Sequence, residues 1–302
     1  MEKALFTYIE ESLFFEMMDM KQSHLWVRRM ACFLLFLWTP LSTGFVMNLS
    51  WVRQAPEIQD NMDKFRNMKI SADHLSGYRN WSKKDYHQLA KDFLFHGGEL
   101  RTESAHLSAC SWYRFLFSEK KADSYGRAWK MAWGDVQCFP VAEDTTGREK
   151  ITYEDSWGMS RNYGGNRVHE GTDLMASTQK RGYFSVVSVS DGVVEKKGWL
   201  KLGGYRLGIR SPGGAYFYYA HLAGYADGLE EGTTVKAGQI IGQMGDSGYG
   251  SEGTVGKFAV HLHFGIYIKI AGKEVSVNPY PILQAVERIK SFETALSTDT
   301  FL

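Results

Sequence analysis

The sequence is poor in cysteine and has almost no excess of charge. Its three cysteines, Cys32, Cys110 and Cys138, are too few for a disulfide framework and lack the paired Cys-x-x-Cys spacing of a structural zinc site. A Cys110–Cys138 disulfide is possible in an oxidising compartment, and the sequence alone leaves it open. Thirty-five basic residues against thirty-four acidic ones give a net charge of +1. A nucleic-acid partner is therefore not expected, because it would require a concentrated basic surface.

Charge is missing altogether from residues 30–52. A membrane-spanning helix needs about 20 predominantly apolar residues. Arg28 and Arg29 precede the segment and only Arg53 follows closely, which favours an N-terminus inside the cell. We predict a short cytoplasmic segment at residues 1–29 and a single-pass membrane anchor at residues 30–52, because no small-x-small cleavage site follows the apolar run. A cleaved signal peptide that starts at Met20 is the alternative, and in both cases the rest of the chain lies outside the cytoplasm, either anchored to the membrane or secreted.

Residues 53–138 have helical periodicity and contain no motif with an evident chemical role. Ser82 is a suitable N-cap for a helix over residues 83–96, which Gly97 and Gly98 would end. A second helix is predicted over residues 123–133, with aromatic residues four apart that we expect to be buried.

Most of the 31 glycines lie after Gly134, and from about residue 139 the periodicity becomes alternating. Short strands separated by turn signals predict an antiparallel β domain over residues 139–290, followed by a tail at residues 291–302. The Asp191-Gly192 pair predicts a tight turn in the first of three hairpins. The strands of these hairpins are predicted at residues 184–190 with 193–197, 205–210 with 215–221, and 260–270 with 274–277.

Histidines cluster in this β region in a pattern that suggests a metal site. His261 and His263 share one face of a strand about 7 Å apart, because successive strand side chains alternate. His169 and Asp173 share a face if their segment is extended, and we expect Gly171 between them to leave room for a cation. A catalytic zinc takes three nitrogen or oxygen ligands and keeps one position open. His169, Asp173 and one histidine of the pair meet that requirement.

The other histidine of the pair and His221 would then face the attacking water as proton acceptors or donors. Serine nucleophile chemistry is disfavoured because no Gly-x-Ser-x-Gly elbow precedes a helix.

Three motifs, taken together, resemble the lysostaphin-like zinc endopeptidases of peptidoglycan. They are His169-Glu-Gly-Thr-Asp173, Tyr219-Ala-His221-Leu and His261-Leu-His263-Phe-Gly. Residues 232–248 resemble the hairpin that this family shares with lipoyl carriers, and Asn278-Pro279 resembles its closing segment. The resemblance covers residues 150–285 and leaves the helical region unexplained. It implies a lysostaphin-like antiparallel β-sheet catalytic domain with a lipoyl-like hairpin. The predicted fold of the chain is therefore mainly β, with this domain preceded by the transmembrane helix and the small helical region predicted above.

The resemblance also implies a role for each site residue. His169, Asp173 and His263 would bind one Zn²⁺ per chain, His221 and His261 would be the catalytic imidazoles, and Tyr163 would help to line the substrate groove. The glycine-rich loop between Asp246 and Val260 either borders this groove or merely connects two strands.

The leading hypothesis is a zinc-dependent endopeptidase that hydrolyses peptide bonds of peptidoglycan stem or cross-bridge peptides with metal-activated water. The bond, either between D-Ala and a diamino acid or within a glycine bridge, stays open at this point. A catalytically silent cell-wall-binding or protein-docking module is the alternative. A lipoyl-like carrier is disfavoured because Lys236 precedes Ala-Gly-Gln and does not lie at a hairpin tip.

Overall fold

The computed structural model describes residues 63–104, 119–162 and 165–287, and also residues 26, 27, 29, 30 and 32–34. The chain forms two compact units, Met1–Trp51 and Val52–Leu302. The described residues of the first unit are helical. Within the described part of the chain, no helix is both long enough and apolar enough to cross a membrane.

Several predictions concern residues outside the described ranges. Nearly all of the predicted anchor at residues 30–52 lies there, as do Tyr163, Cys110 and the C-terminal tail. The side chain of Cys138 is buried, and its Sγ donates to the Ser188 carbonyl oxygen at 3.4 Å. The anchor, the Cys110–Cys138 pairing, the role of Tyr163 and the domain boundaries therefore stay predictions.

The helical region consists of short and medium helices ahead of the sheet. We number them α1 to α3 and the last helix of the chain α4, and two 3₁₀ turns lie between α1 and α2. The α-helices are α1 (Asp63–Asn67), α2 (Lys83–Phe95), α3 (Glu119–Trp133) and α4 (Tyr280–Val286). The 3₁₀ turns are Ala72–Leu75 and Tyr78–Asn80.

Helix α2 begins and ends where the sequence predicts. The Ser82 Oγ accepts from the Lys84 backbone N–H at 3.2 Å, and the Ser82 N–H donates to the Asp85 carboxylate at 2.7 Å. This reciprocal capping box satisfies two of the unpaired N–H groups of the first turn. Gly97 and Gly98 follow with φ angles of 75° and 88°, which end the helix.

An aromatic core joins the helices. Trp129 of α3 stacks on Trp133 with a centroid distance of 5.9 Å, and it contacts the Phe93 ring of α2 edge to face at 5.0 Å. Phe65 of α1 also stacks on Trp129, with a centroid distance of 5.7 Å. All four side chains are fully buried, as is Tyr125. The prediction that the aromatic stripe of α3 is core is therefore confirmed.

A large antiparallel sheet follows, which confirms the predicted mainly β fold with a helical region before it. The sheet contains ten described strands, and β2 and β3 form a separate pair. The strands are β1 (Ile151–Thr152), β2 (Ser160–Arg161), β3 (Arg167–Val168), β4 (Thr172–Ala176), β5 (Ser185–Val187), β6 (Gly192–Leu200), β7 (Gly204–Arg210), β8 (Tyr216–Tyr225), β9 (Thr234–Val235), β10 (Ile240–Met244), β11 (His261–Ile270) and β12 (Lys273–Val277). In the large sheet, neighbouring strands follow the order β1-β4-β11-β8-β7-β6-β9.

Two of the three predicted hairpins are present. Strands β7 and β8 pair with Arg210 opposite Tyr216, and β11 and β12 pair with Ile270 opposite Lys273. The hairpin of β11 and β12 turns through Ala271 and Gly272, which have φ angles of 48° and 78°, as a tight primed turn requires.

The hairpin predicted around Asp191-Gly192 is wrong. Strand β5 pairs with β10, whereas β6 pairs with β7 and β9. The Asp191 carboxylate accepts from the Ala237 N–H at 3.0 Å and from the Lys236 Nζ at 2.9 Å, which ties it to the turn between β9 and β10. The two strands of that lipoyl-like segment also pair with different neighbours and not with each other.

Candidate metal and catalytic site

Strand register brings distant motifs together on one face of the sheet. Strand β11 lies between β4 and β8, so His263 is directly opposite Asp173 on one side and Ala220 on the other. Opposite residues of an antiparallel pair point to the same face. The side chains of His263 and Asp173 therefore meet although 90 residues separate them in the sequence.

Three possible ligand atoms converge at this point. The Nε2 of His169 lies 3.0 Å from the Asp173 Oδ1 and 2.9 Å from the His263 Nδ1, and the latter two atoms are 2.9 Å apart. His169 is only 2% exposed. Two imidazole nitrogens and one carboxylate oxygen are a donor set that suits zinc and leaves a fourth position open. These residues form the one group of at least three possible metal-binding side chains found in the described part of the chain.

Gly171 makes room in this cluster, but for a different group than predicted. A Cβ on Gly171 would lie 2.6 Å from the His263 Cε1 and 2.5 Å from the Phe264 carbonyl oxygen. The absent side chain therefore leaves space for the His263 imidazole and the strand backbone, and not directly for a cation.

Neighbouring groups fix the orientation and charge of the three side chains. The His169 Nδ1 lies 2.9 Å from the Ser156 carbonyl oxygen, and by donating there it leaves the Nε2 lone pair toward the cluster. Arg161 Nη2 donates to the other carboxylate oxygen of Asp173, Oδ2, at 2.6 Å. Burial alone would raise the pKa of Asp173, but the adjacent His169 and His263 side chains and the nearby His261 hold it well below its ordinary value, so the carboxylate is ionised.

His221 reaches this face through a break in the strand. Its neighbours Phe217 and Tyr219 are fully buried in the core, and strict alternation would send residue 221 to the same side. The pairing of β7 with β8 shifts between Tyr205 and Leu207, and His221 has a φ angle of 64°. This bulge turns the His221 side chain into the groove that contains His263.

Both His221 and His261 have one ring nitrogen occupied by the backbone. The Nδ1 of His221 lies 2.8 Å from the Ser247 carbonyl oxygen, and that of His261 lies 2.7 Å from the Ala259 carbonyl oxygen. Donation from Nδ1 leaves each Nε2 with a lone pair, and the Nε2 of His261 lies 3.8 Å from the Asp173 Oδ1. The two rings are 4.8 Å apart.

Burial keeps these imidazoles neutral. Burial lowers the pKa of His221 well below its ordinary value, and the neighbouring His261 and His263 lower it further. Burial also lowers the pKa values of His261 and His263, against the opposing effect of the Asp173 carboxylate. A neutral imidazole is the form that accepts a proton or binds a metal ion.

A groove of about 900 Å³ runs over the cluster. Tyr216, Tyr218 and Tyr267 line one part of it, and Tyr249 and Phe258 of the glycine-rich loop line another. Phe258 packs 4.6 Å from the His221 ring and 5.1 Å from the His261 ring. Of the two interpretations of this loop, the structure supports the one in which it borders the groove.

The structure therefore brings together all five histidine and aspartate residues singled out in the sequence. Sequence reasoning missed the groups that orient them, namely Arg161 and the carbonyls of Ser156 and Ser247. It also missed Arg206, which lines the groove. No motif marks these groups. Arg161 reaches the site on β2, which pairs with β3, and Arg206 lies on β7.

This donor set, beside two further imidazoles in an open groove, fits a metal-dependent hydrolase. Residues 167–279 match the sequence model of Peptidase family M23. A crystal structure of a candidate glycyl-glycine endopeptidase, lytM from Ruminococcus gnavus, is 43% identical with a TM-score of 0.65, and the match covers 76% of this chain and 92% of that one. The chain belongs to peptidase family M23, which confirms the predicted metalloendopeptidase class.

Curated relatives match about half of this chain or less. An L-Ala--D-Glu endopeptidase of Bacillus subtilis is 48% identical over 157 residues, which are 52% of this chain and 47% of the relative. Glycyl-glycine endopeptidase ALE-1 of Staphylococcus capitis is 32% identical over 124 residues, which are 40% of this chain and 30% of the relative. This chain thus spans about half of the Bacillus relative and less of the staphylococcal one.

Proposed function

We propose that this chain is a zinc-dependent endopeptidase that hydrolyses peptide bonds in the stem or cross-bridge peptides of peptidoglycan. The observation that supports this most directly is the convergence of the His169 Nε2, Asp173 Oδ1 and His263 Nδ1 within 3.0 Å of one another. An ionised carboxylate beside two imidazole nitrogens, one of them oriented by a backbone carbonyl, fits a zinc ion in donor type and in surroundings.

In this proposal His169, Asp173 and His263 hold the zinc. When bound, the ion supplies a Lewis acid that polarises a substrate carbonyl and lowers the pKa of water to about 7. The side chains of His221 and His261 act beside it. One imidazole takes a proton from the attacking water, and the other stabilises the oxyanion or protonates the leaving amine.

The peptidoglycan substrate is supported by the names of the relatives. One relative is named for the L-Ala–D-Glu bond and another for the glycyl-glycine bond. Both bonds occur in peptides, and the open groove with its tyrosine lining suits an extended peptide chain.

We also propose that the catalytic region works outside the cytoplasm, facing the cell wall. The support is the charge-free run of residues 30–52 with Arg28 and Arg29 before it. Protease added to intact protoplasts should digest residues 63–287 if the chain is anchored as proposed, and the medium should contain them if the chain is secreted. Full protection of these residues in intact protoplasts, together with their absence from the medium, would overturn this localisation.

The test of activity is digestion of purified peptidoglycan, with the new peptide termini identified by mass spectrometry. A strong chelator should abolish release and added zinc should restore it. His263→Ala should lose the metal, whereas His221→Ala should keep about one zinc per chain and lose turnover by about 10²–10⁴-fold. The matched control is His87→Ala, because the His87 imidazole pairs with Glu119 in the helical region. This variant should retain both the zinc and the turnover.

A release rate that does not change after the metal is stripped would remove the proposal. Less than one zinc per chain, combined with tight retention on cell-wall sacculi, would support the silent binding module instead.

A further inference from the structure

The carboxylates that line the groove are already neutralised by arginines of this chain. The pairs are Asp173 with Arg161 at 2.6 Å, Glu274 with Arg210 at 2.6 Å, and Glu170 with Arg66 at 3.8 Å. A ligand that enters the groove therefore meets few uncompensated negative charges.

Arg206 also lines the groove, and no carboxylate among the described residues pairs with it. Its Nη1 is shielded from solvent and has no hydrogen-bond partner within the described part of the chain. A guanidinium always carries its charge, and a buried donor without an acceptor is costly. A charged guanidinium that lines the groove without a carboxylate of its own suits an anionic acceptor on a ligand that enters the groove.

The position of Arg206 places that acceptor beside the reactive centre. The strand order across the floor of the groove is β4, β11, β8 and β7, with Asp173, His263 and Ala220 side by side on the first three strands. Arg206 lies on β7 between Tyr205 and Leu207, which pair with Leu222 and Tyr219. It is therefore opposite the bulge that carries His221. Its backbone is two strands, or roughly 10 Å, from that of His263, a distance that one arginine side chain largely spans.

The chemistry of this position suits a carboxylate. A planar guanidinium binds a carboxylate with two parallel N–H···O bonds, and such charge-assisted bonds are stronger than neutral ones. The neighbouring phenol of Tyr218 stays a neutral hydrogen-bonding group. Burial raises the pKa of Tyr218, and the opposing effects of Arg206 and Arg167 are smaller.

We propose that Arg206 is a specificity-determining residue that binds a free carboxylate of the peptide substrate next to the bond to be cleaved. This inference rests on the proposed peptidase function and narrows its substrate class. A glutamate after the scissile bond has two carboxyl groups. One of them forms the peptide bond to the next residue, so the other remains a free carboxylate. A glycine bridge has no such group, so the groove favours an acidic stem peptide over a glycine cross-bridge.

The test uses two synthetic peptides that differ in one group. Both contain the sequence L-Ala–D-Glu–L-Lys, and the free glutamate carboxylate of one is the amide in the other. The wild-type zinc enzyme should cleave the acid form with a kcat/KM about 10–100-fold higher than the amide form, as expected for loss of a charge-assisted bond. Pentaglycine should be cleaved more slowly than the acid peptide.

Variants of Arg206 should change this preference. Arg206→Gln should bring the ratio of the two kcat/KM values to about one. Arg206→Lys keeps the charge but loses the paired N–H donors of the guanidinium, and should give an intermediate ratio. Arg127→Gln makes the same charge change on the exposed face of α3 and should keep the wild-type ratio. Thermal unfolding of each variant checks that it is folded.

Binding provides a second readout that does not depend on turnover. In the His221→Ala background, the acid peptide should bind about tenfold more tightly than the amide, and adding Arg206→Gln should remove the difference. Equal cleavage and equal binding of the two peptides by proteins with intact Arg206 would overturn the role of Arg206 and leave the peptidase function standing. A binding preference that depends on Arg206, without cleavage of either peptide, would overturn the proposed peptidase function and support the carboxylate-binding role of Arg206.

Discussion

The helical region and the sheet of this protein are organised by different rules. In the helical region, buried residues follow one another at the spacing of a helix, and Trp129 contacts aromatic rings from α1, α2 and its own helix. In the sheet, residues of the site come from β4, β8 and β11 and meet through strand register. The first region is built around packed aromatic rings, and the second brings two imidazoles and a carboxylate together at one point.

This difference suggests that stability and chemistry depend on separate residues. The crystal structure from Ruminococcus gnavus matches 76% of this chain, more than residues 139–302 alone can account for. Part of the chain before residue 139 is therefore shared with that protein. It contacts the sheet close to the site, since Arg66 of α1 lies 3.8 Å from Glu170, the neighbour of His169.

The largest effect on stability should come from the aromatic core. Trp129→Ala should lower the free energy of unfolding by about 3–5 kcal/mol, because it leaves a cavity among four rings. Denaturant unfolding followed by circular dichroism measures this loss. The zinc content of the folded fraction should not change.

Trp129→Phe is the matched control for this substitution. The Nε1 of Trp129 is buried without a hydrogen-bond partner among the described residues, so its removal offsets part of the cavity cost. The phenylalanine variant should therefore lose clearly less stability than the alanine variant. Equal losses would mean that the packing of this ring is not what stabilises the region.

The next effect should appear at the proposed metal ligands. Gly171→Ala places a methyl group against the His263 ring and the Phe264 carbonyl oxygen, so the imidazole must shift. We expect zinc affinity to fall by about 10–100-fold, as for other changes that disturb ligand orientation. Competition with a chromogenic chelator measures it. Gly224→Ala in β8 meets no atom closer than 3.6 Å and should bind zinc as the wild type does.

The sequence was sufficient for local features of both regions. The N-cap at Ser82, the glycines after α2 and the buried aromatic stripe of α3 depend on residues within a few positions of one another. The same is true of the turn at Ala271 and Gly272. A pattern of this kind can be recognised without knowledge of the rest of the fold.

Features that depend on distant partners could not be predicted in this way. Asp191-Gly192 has the composition of a tight turn, yet Asp191 binds Lys236 and Ala237, and β5 pairs with β10. Alternation alone would bury His221 beside Tyr219, and only the bulge in β8 turns it to the groove. The His221 motif, and not alternation along its strand, therefore pointed to this part of the site.

A smaller effect is expected where the two regions touch. The guanidinium of Arg66 donates to the Ser276 carbonyl oxygen and to the Ser276 Oγ, both at 3.0 Å, and lies 5.4 Å from the ring centroid of Trp157. Arg66→Ala should lower the free energy of unfolding by about 1–2 kcal/mol through loss of these charge-assisted bonds. Arg127 forms an exposed ion pair with Asp123 at 2.8 Å. Arg127→Ala should lower the free energy of unfolding by less than about 1 kcal/mol, as is usual for a surface ion pair.

The smallest effect should be the loss of the helix cap. Ser82→Ala removes the acceptor for the Lys84 N–H at the start of α2, and we expect a loss of about 1 kcal/mol in the free energy of unfolding. Ser82→Asp restores an acceptor and should recover most of it, while Lys84→Ala on the same exposed turn should change little. Peptidase activity should be the same in all three variants. If Ser82→Ala lowered activity without lowering stability, the separation between the packing region and the chemical region would be refuted, because α2 contributes no residue to the groove.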